Sequence, residues 1–333
     1  MHTGRSTPTT VAITGATGFL GRALCRDLGA RGFTVRALVR RDVLVPDAHE
    51  VRIAPLVSGP PLRDALAGAS VVLHCAGGGR AVTADDFRRN NLDTTQAILG
   101  AIEALPAPPA QLVLVSSIAA GGPTGNGADA IEASHSGARS SYGLHKWLAE
   151  RACLDLGRRD PRIRVTIVRA PAIYGPGDDR LAPLVRAARR GWLAAPAPDA
   201  PLSMIDVDDC AAAIGGAIEC DGDGARLYCV EDGERCSARR MSEALARHFG
   251  RRLRVVRIPV AALRAAAMAG EAHARLTGRP AFLTRDKLLD LTAPSWLCDS
   301  SALRTETGFR PRHTFESRVA SIVAALAGTE ARP

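Results

Sequence analysis

Apolar residues fall into two rhythms along the 333-residue chain. Short continuous runs recur at 11–13, 34–40, 71–75, 111–117 and 164–169, with a poorer one at 51–56. Such runs suit strands buried on both faces of a parallel sheet. Between them, apolar positions recur three and four residues apart. The stretch 19–30 puts Phe19, Leu20, Ala23, Leu24 and Leu28 on one helical face, and 62–68, 85–104, 141–156 and 181–190 also read as helices. Strand and helix in alternation predict an α/β protein on a doubly wound parallel sheet.

The pattern changes beyond Gly177. A Pro/Ala-rich connection at 191–201 leads to a return toward the core at 202–209. Strands at 226–230 and 253–258, and helices at 237–249, 260–276, 299–308 and 314–326, predict a smaller C-terminal α/β portion. The stretch 121–139 is rich in Gly, Ala, Ser and Asp and lacks periodicity, so it reads as a loop.

Composition narrows the classes of function. The chain is 46% hydrophobic and 23% charged, enough for a sizeable core. No apolar run approaches the ~20 residues that span a bilayer, so no membrane span is expected. The first ten residues lack a hydrophobic signal region, and a cytoplasmic protein is expected. Eight scattered cysteines with no C-x-x-C pair and no His cluster predict free buried thiols and no metal site. The net charge of +9 comes almost wholly from arginine, with Lys146 and Lys287 as the two lysines. The charge reads as dispersed, with no run of five basic residues and few aromatics. That argues against nucleic-acid binding and leaves a mild preference for anionic ligands.

Candidate chemistry begins at V-A-I-T-G-A-T-G-F-L-G over 11–21, a strand, a glycine turn and a helix. Gly15, Gly18 and Gly21 let the backbone approach a dinucleotide pyrophosphate, which the free N–H groups of the helix start would hold. At the end of the second strand Val39 stands where an acid would bind the ribose 2′-OH of NAD, and Arg40 and Arg41 follow. Two arginines and no acid favour NADP(H), with NAD(H) as the alternative. Gly77 and its neighbours Gly78 and Gly79 allow close backbone approach.

Tyr142 and Lys146, at i and i+4, project from one helix face. A phenol titrates near ~10, and a nearby ammonium is expected to favour the phenolate and bring Tyr142 into the useful range. An arginine would present a broad fork instead of a compact charge. One of two lysines in an arginine-rich chain stands at this position. Ser117, with Ser116 before it, ends the fifth strand and so points toward the ligand crevice.

The glycine loop, the turn His74-Cys75-Ala76-Gly77, Ser117, Tyr142 and Lys146 together resemble the extended short-chain dehydrogenase/reductase family, whose members include NAD-dependent epimerases and dehydratases. The resemblance covers residues 10–325 and is strongest to Gly177. It implies a Rossmann-type sheet in which 10–177 holds the cofactor and catalytic residues, while 178–327 mostly binds substrate. It further implies that Ser117 polarises the substrate oxygen (Ser116 if the register is one off), Tyr142 transfers a proton, and Lys146 contacts the nicotinamide ribose. Thr17, Phe19, Leu20, Cys75, Ala76, Pro171 and Ile173 would join Gly15, Gly18 and Gly77 around the cofactor. Asn91 would support the active-site end of its helix, and 121–139 would form a substrate lid. Helices 85–104 and 141–156 would pair in a homodimer. Three features of nucleotide-sugar enzymes are missing: an Asn near Ala172, a Gly-Asp-Gly loop and an Arg-Asp pair. The expectation is an NADP(H)-dependent carbonyl reductase or alcohol dehydrogenase acting on a small molecule. A nucleotide-sugar epimerase or dehydratase and a non-catalytic cofactor-binding protein stand as alternatives.

Overall fold

The computed structural model describes residues 9–78, 83–124, 137–222, 224–278, 281 and 283–330. The N-terminal tail to residue 8, Gly79 and residues 125–136 of the expected lid lie outside the described residues.

The strands run β1 (Thr10–Thr14), β2 (Thr34–Val39), β3 (Glu50–Ile53), β4 (Val71–His74), β5 (Gln111–Ser117), β6 (Arg164–Ala170), β7 (Ala172–Tyr174), β8 (Trp192–Ala195), β9 (Met204–Asp206), β10 (Ala225–Cys229) and β11 (Arg254–Arg257). Seven of them make one sheet in the order β10-β6-β5-β4-β1-β2-β3, every neighbouring pair parallel. This is the Rossmann order, extended by β10. Alternation along each strand feeds two cores. Val11, Ile13, Val113 and Val115 pack under the helices Phe19–Ala30 and Val207–Glu219. Ala12, Leu112 and Leu114 pack under Pro60–Leu66, Thr94–Glu103 and Ser141–Arg159. Strand order reverses between β1 and β4, which opens a crevice at their carboxyl ends.

A third core, with Tyr174, Leu193, Met204, Leu245, Phe315 and Val319, lies among the C-terminal elements. No described helix is long and apolar enough to cross a membrane.

Several elements differ from the sequence expectation, which foresaw neither β7 nor the helices Ile118–Gly121 and Arg285–Leu291. The helix expected over 85–104 is interrupted: Ala84–Phe87 and Thr94–Glu103 flank a π-helical turn, Arg88–Asp93. Polar side chains compete with the helical ladder there, since Asn91 Nδ2 donates to Phe87 O at 3.0 Å and Thr95 Oγ1 to Asn91 O at 2.6 Å. The connection 191–201 contains β8, which pairs with β11. The return to the core continues as the helix Val207–Glu219, capped by Asp206 through Asp208 N at 2.9 Å.

The glycine loop packs without slack. A methyl on Gly21 would overlap the Gly15 carbonyl oxygen and lie 2.8 Å from Ala16 Cα. Gly21→Ala is therefore expected to cost ~2 kcal/mol by overpacking. Urea titration measures this, and an unchanged midpoint would contradict the close packing.

Candidate active site

The glycine loop forms a cradle of backbone donors. Gly15 sits at φ +76°, and a methyl there would lie 2.8 Å from Ala76 N. Gly18 caps the Phe19–Ala30 helix with no side-chain acceptor, and the first turn holds no acid. Its leading N–H groups keep their capacity for an anion. This donor set, which no side chain among the described residues caps, fits a pyrophosphate. Thr17 is exposed at the turn, Phe19 is half-buried and Leu20 is buried. Arg40 and Arg41 are exposed just past the end of β2, beside β1 and the glycine loop.

Opposite the cradle, a directed hydrogen-bond chain fixes the turn after β4. Thr95 Oγ1 donates to Asn91 O, so His74 Nε2 donates to Thr95 Oγ1 at 3.1 Å. In a neutral ring His74 Nδ1 must then accept, and Thr14 Oγ1 donates to it at 2.7 Å. Thr14 Oγ1 accepts in turn from Ala76 N at 3.1 Å. Cys75, Ala76 and Gly77 are thereby held at the crevice. Asn91 pins Gly78 from both sides, accepting from its N–H and donating to its carbonyl, each at 3.2 Å.

The catalytic candidates come together at the end of β5. Ser117 lies close enough to the Tyr142 phenol to favour its ionised form against burial. Ser117 also caps the short helix Ile118–Gly121, accepting from Ala119 N at 3.2 Å. Ser140 caps the Ser141–Arg159 helix, accepting from Gly143 N at 3.1 Å. Gly143 lets that helix close on Ala119, whose carbonyl oxygen a methyl would overlap. Lys146 is buried and donates to Val115 O at 2.9 Å. A methyl on Gly77 would meet Asn91 Oδ1 at 2.8 Å and Lys146 Nζ at 3.2 Å, so these three groups share one corner. Ser116 is turned away: it donates to Glu150 Oε1 at 2.5 Å, and Arg169 grips the same carboxylate at 2.9 and 2.7 Å. Pro171 is buried beyond β6, and Ile173 offers its carbonyl to Arg180 Nη2 at 3.0 Å.

Several residues at the site carry no motif in the sequence. Phe87 packs its ring 6.1 Å from that of Tyr142. Arg180 lies 5.6 Å over the Phe19 ring and its charge reaches Tyr142. Asp290 faces the phenol from the Arg285–Leu291 helix, whose Asp286 accepts from Ser141 N at 2.6 Å. Elsewhere Asp206, Asp209 and His313 converge, with Asp206 held by Arg318 and Asp209 by the N–H groups of Arg312 and His313.

A sequence profile of the NAD dependent epimerase/dehydratase family matches residues 11–225. The chain belongs to this family. The family member is 34% identical to the ceramide reductase of Caulobacter vibrioides over 88% of its own length and 87% of the relative. It is 28% identical to the 4-hydroxy-2-methyl-3-oxo-4-farnesyl-3,4-dihydroquinoline-1-oxide ketoreductase of Stigmatella aurantiaca, over 78% of its length and 79% of that protein. Its fold matches MoeE5 in complex with UDP-glucuronic acid and NAD with a TM-score of 0.75 at 21% identity, covering 96% and 99% of the two chains. It is an NAD(P)-dependent enzyme of the extended short-chain dehydrogenase/reductase type.

Burial dominates the electrostatics of the family member's site. It raises the Tyr142 phenol above its usual range, while the Ser117 hydrogen bond and the Arg180 charge oppose it. The expected lowering by Lys146 is not among the leading influences. The Lys146 ammonium points to the Val115 carbonyl, and burial lowers its own pKa. Cys75 is pushed up to about 12 by burial and stays a thiol. Burial, helped by the Lys146 charge, lowers His74 from 6.5 to about 3. Between those values the unfolded chain binds a proton that the folded chain refuses, so stability falls as pH drops from 6.5 toward 3. His74→Gln should therefore give a shallower fall in urea midpoint between pH 6.5 and about pH 4.5 than the native protein. Parallel slopes would reject a neutral buried imidazole.

Proposed function

We propose that the enzyme is an NADP(H)-dependent carbonyl reductase using Ser117, Tyr142 and Lys146. The observation that carries this is the packing of the Tyr142 helix on the end of β5, Gly143 against Ala119, which sets the phenol beside Ser117 and buries it in protonated form. A protonated phenol is the form that can donate to a ketone oxygen. Ser117 orients that oxygen by hydrogen bonding. Lys146 would hold the nicotinamide ribose beside Gly77 and add positive charge one helical turn from Tyr142. Gly15, Gly18 and the helix start would hold the pyrophosphate, and Arg40 and Arg41 the 2′-phosphate. When bound, the nicotinamide supplies the hydride. The named relatives support a ketone on a large apolar body as the substrate class. The reading includes a homodimer formed through the helices that carry Asn91 and Tyr142.

Tyr142→Phe should lower kcat for NADPH-dependent ketone reduction by at least about 10³-fold, leaving the Kd for NADPH within a factor of about three. Ser117→Ala should cost about 10²-fold, whereas turnover by Ser116→Ala should stay within a factor of about three of native once folded. Retained turnover in Tyr142→Phe would reject the assignment, and turnover of UDP-sugars instead of ketones would favour epimerase chemistry.

Arg40→Ala/Arg41→Ala should raise KM for NADPH by about 10–100-fold while leaving that for NADH near native, as two charge-assisted phosphate contacts are removed. Equal effects on both cofactors would reject the 2′-phosphate role.

A further inference from the structure

The positive charge expected to be dispersed is concentrated. Residues 251–285 hold eight arginines and one acid, Glu271, a net +7 of the chain's +9. Among the described residues of this stretch, one ion pair is formed, Arg285 with Glu271 at 2.8 Å. Arg251 and Arg257 donate to the backbone carbonyls of Arg189 and Pro196 and form no ion pair among the described residues, Arg257 acting on Asp199 only at longer range.

The same stretch exposes apolar surface. The helix Val260–Thr277 buries only Ala267 and Ala274, on one side. Leu263 and Gly270 border that buried side. The opposite arc carries Ala261, Ala265, Met268, Ala269, Ala272 and Leu276, all exposed, with Met268 at 58% and Leu276 at 87%. Arg264 and Arg275 share one edge of it and are also exposed. Just upstream, Trp192 and Val256 are exposed at 42% and 49% on the β8–β11 pair, on the same face as Arg254. An 18-residue helix, ~27 Å long, with an apolar face, arginines at its rim and a nearby exposed tryptophan has the build of an interfacial helix.

We infer that this face docks on an anionic membrane surface, the Val260–Thr277 helix lying in the interface with Met268 and Leu276 among the lipid chains. Charge complementarity selects the occupant. A second copy meeting this face would set arginine against arginine. A nucleic acid would satisfy the arginines but leave the apolar arc in water. Anionic lipid satisfies both at once. The inference stands on the surface alone and holds whatever the catalytic site reduces.

The test is flotation of the full chain with vesicles of phosphatidylglycerol and phosphatidylethanolamine, against vesicles of phosphatidylcholine. The native protein should float with the anionic vesicles and not with the neutral ones, and raising salt from about 0.05 M to about 0.5 M should release most of it. Arg264→Glu/Arg275→Glu should weaken binding by about 30-fold or more, since each arginine near such a surface contributes about fivefold. Met268→Asp/Leu276→Asp should abolish binding with an unchanged Tm, because both side chains are exposed. Should that variant misfold, the arginine pair and the salt dependence of the native protein decide. Absence of native binding to anionic vesicles at low salt would overturn the proposal. So would equal binding to neutral vesicles, or sedimentation showing a dimer that Met268→Asp/Leu276→Asp dissolves.

Discussion

The site depends on one backbone contact. The Ala119 carbonyl oxygen and Gly143 approach so closely that no side chain fits between them. One partner belongs to the short helix that Ser117 caps, the other to the helix that carries Tyr142 and Lys146. Their approach turns the end of a strand and the start of a helix, 25 residues apart in the chain, into a single pair of hydroxyls. The caps at Ser117 and Ser140 fix both ends of this junction, so the geometry is set by backbone hydrogen bonds and owes little to flexible side chains.

Around that junction several buried polar side chains find their partners within the protein. His74 is neutral and spends both ring nitrogens on threonines. Glu150 is held by Arg169 in two bonds and by Ser116 in a third, both charged partners 2% exposed. Removing either charge would strand the other without water, a loss of ~3–5 kcal/mol, whereas the intact pair adds little net stability. Its contribution is directional: it draws Ser116 to the helix side of the strand and leaves Ser117 to the crevice.

Much of this was legible in the sequence because it follows from local rules. The strand runs, the glycine turn and the helical spacing of Tyr142 and Lys146 each occupy a short stretch, and each survived into the structure with boundaries moved by a few residues. The π turn at Arg88–Asp93 was hidden because the side chains that compete with its ladder, Asn91 and Thr95, also bond to Gly78 and His74, which are remote in the chain. Asp290 and Arg180 gave no signal for the same reason: nothing near them in the chain says that they face Tyr142. The expected depression of the phenol rested on helical spacing alone. Spacing places Lys146 on the right face, but it carries no information on burial or on the Val115 carbonyl that takes the ammonium.

The seventh strand of the main sheet comes from far down the chain. β10 covers the outer edge of β6, and the Val207–Glu219 helix packs on Phe19–Ala30. A nascent chain ending at Gly177 would present β6 as a bare edge and a naked apolar stripe on the Phe19–Ala30 helix. The cofactor half of the polypeptide thus cannot finish folding when only the chain up to Gly177 has been made. It must wait for some fifty further residues to emerge, up to Cys229. Until then the uncovered β6 edge and apolar stripe are the kind of surface that pairs with other chains.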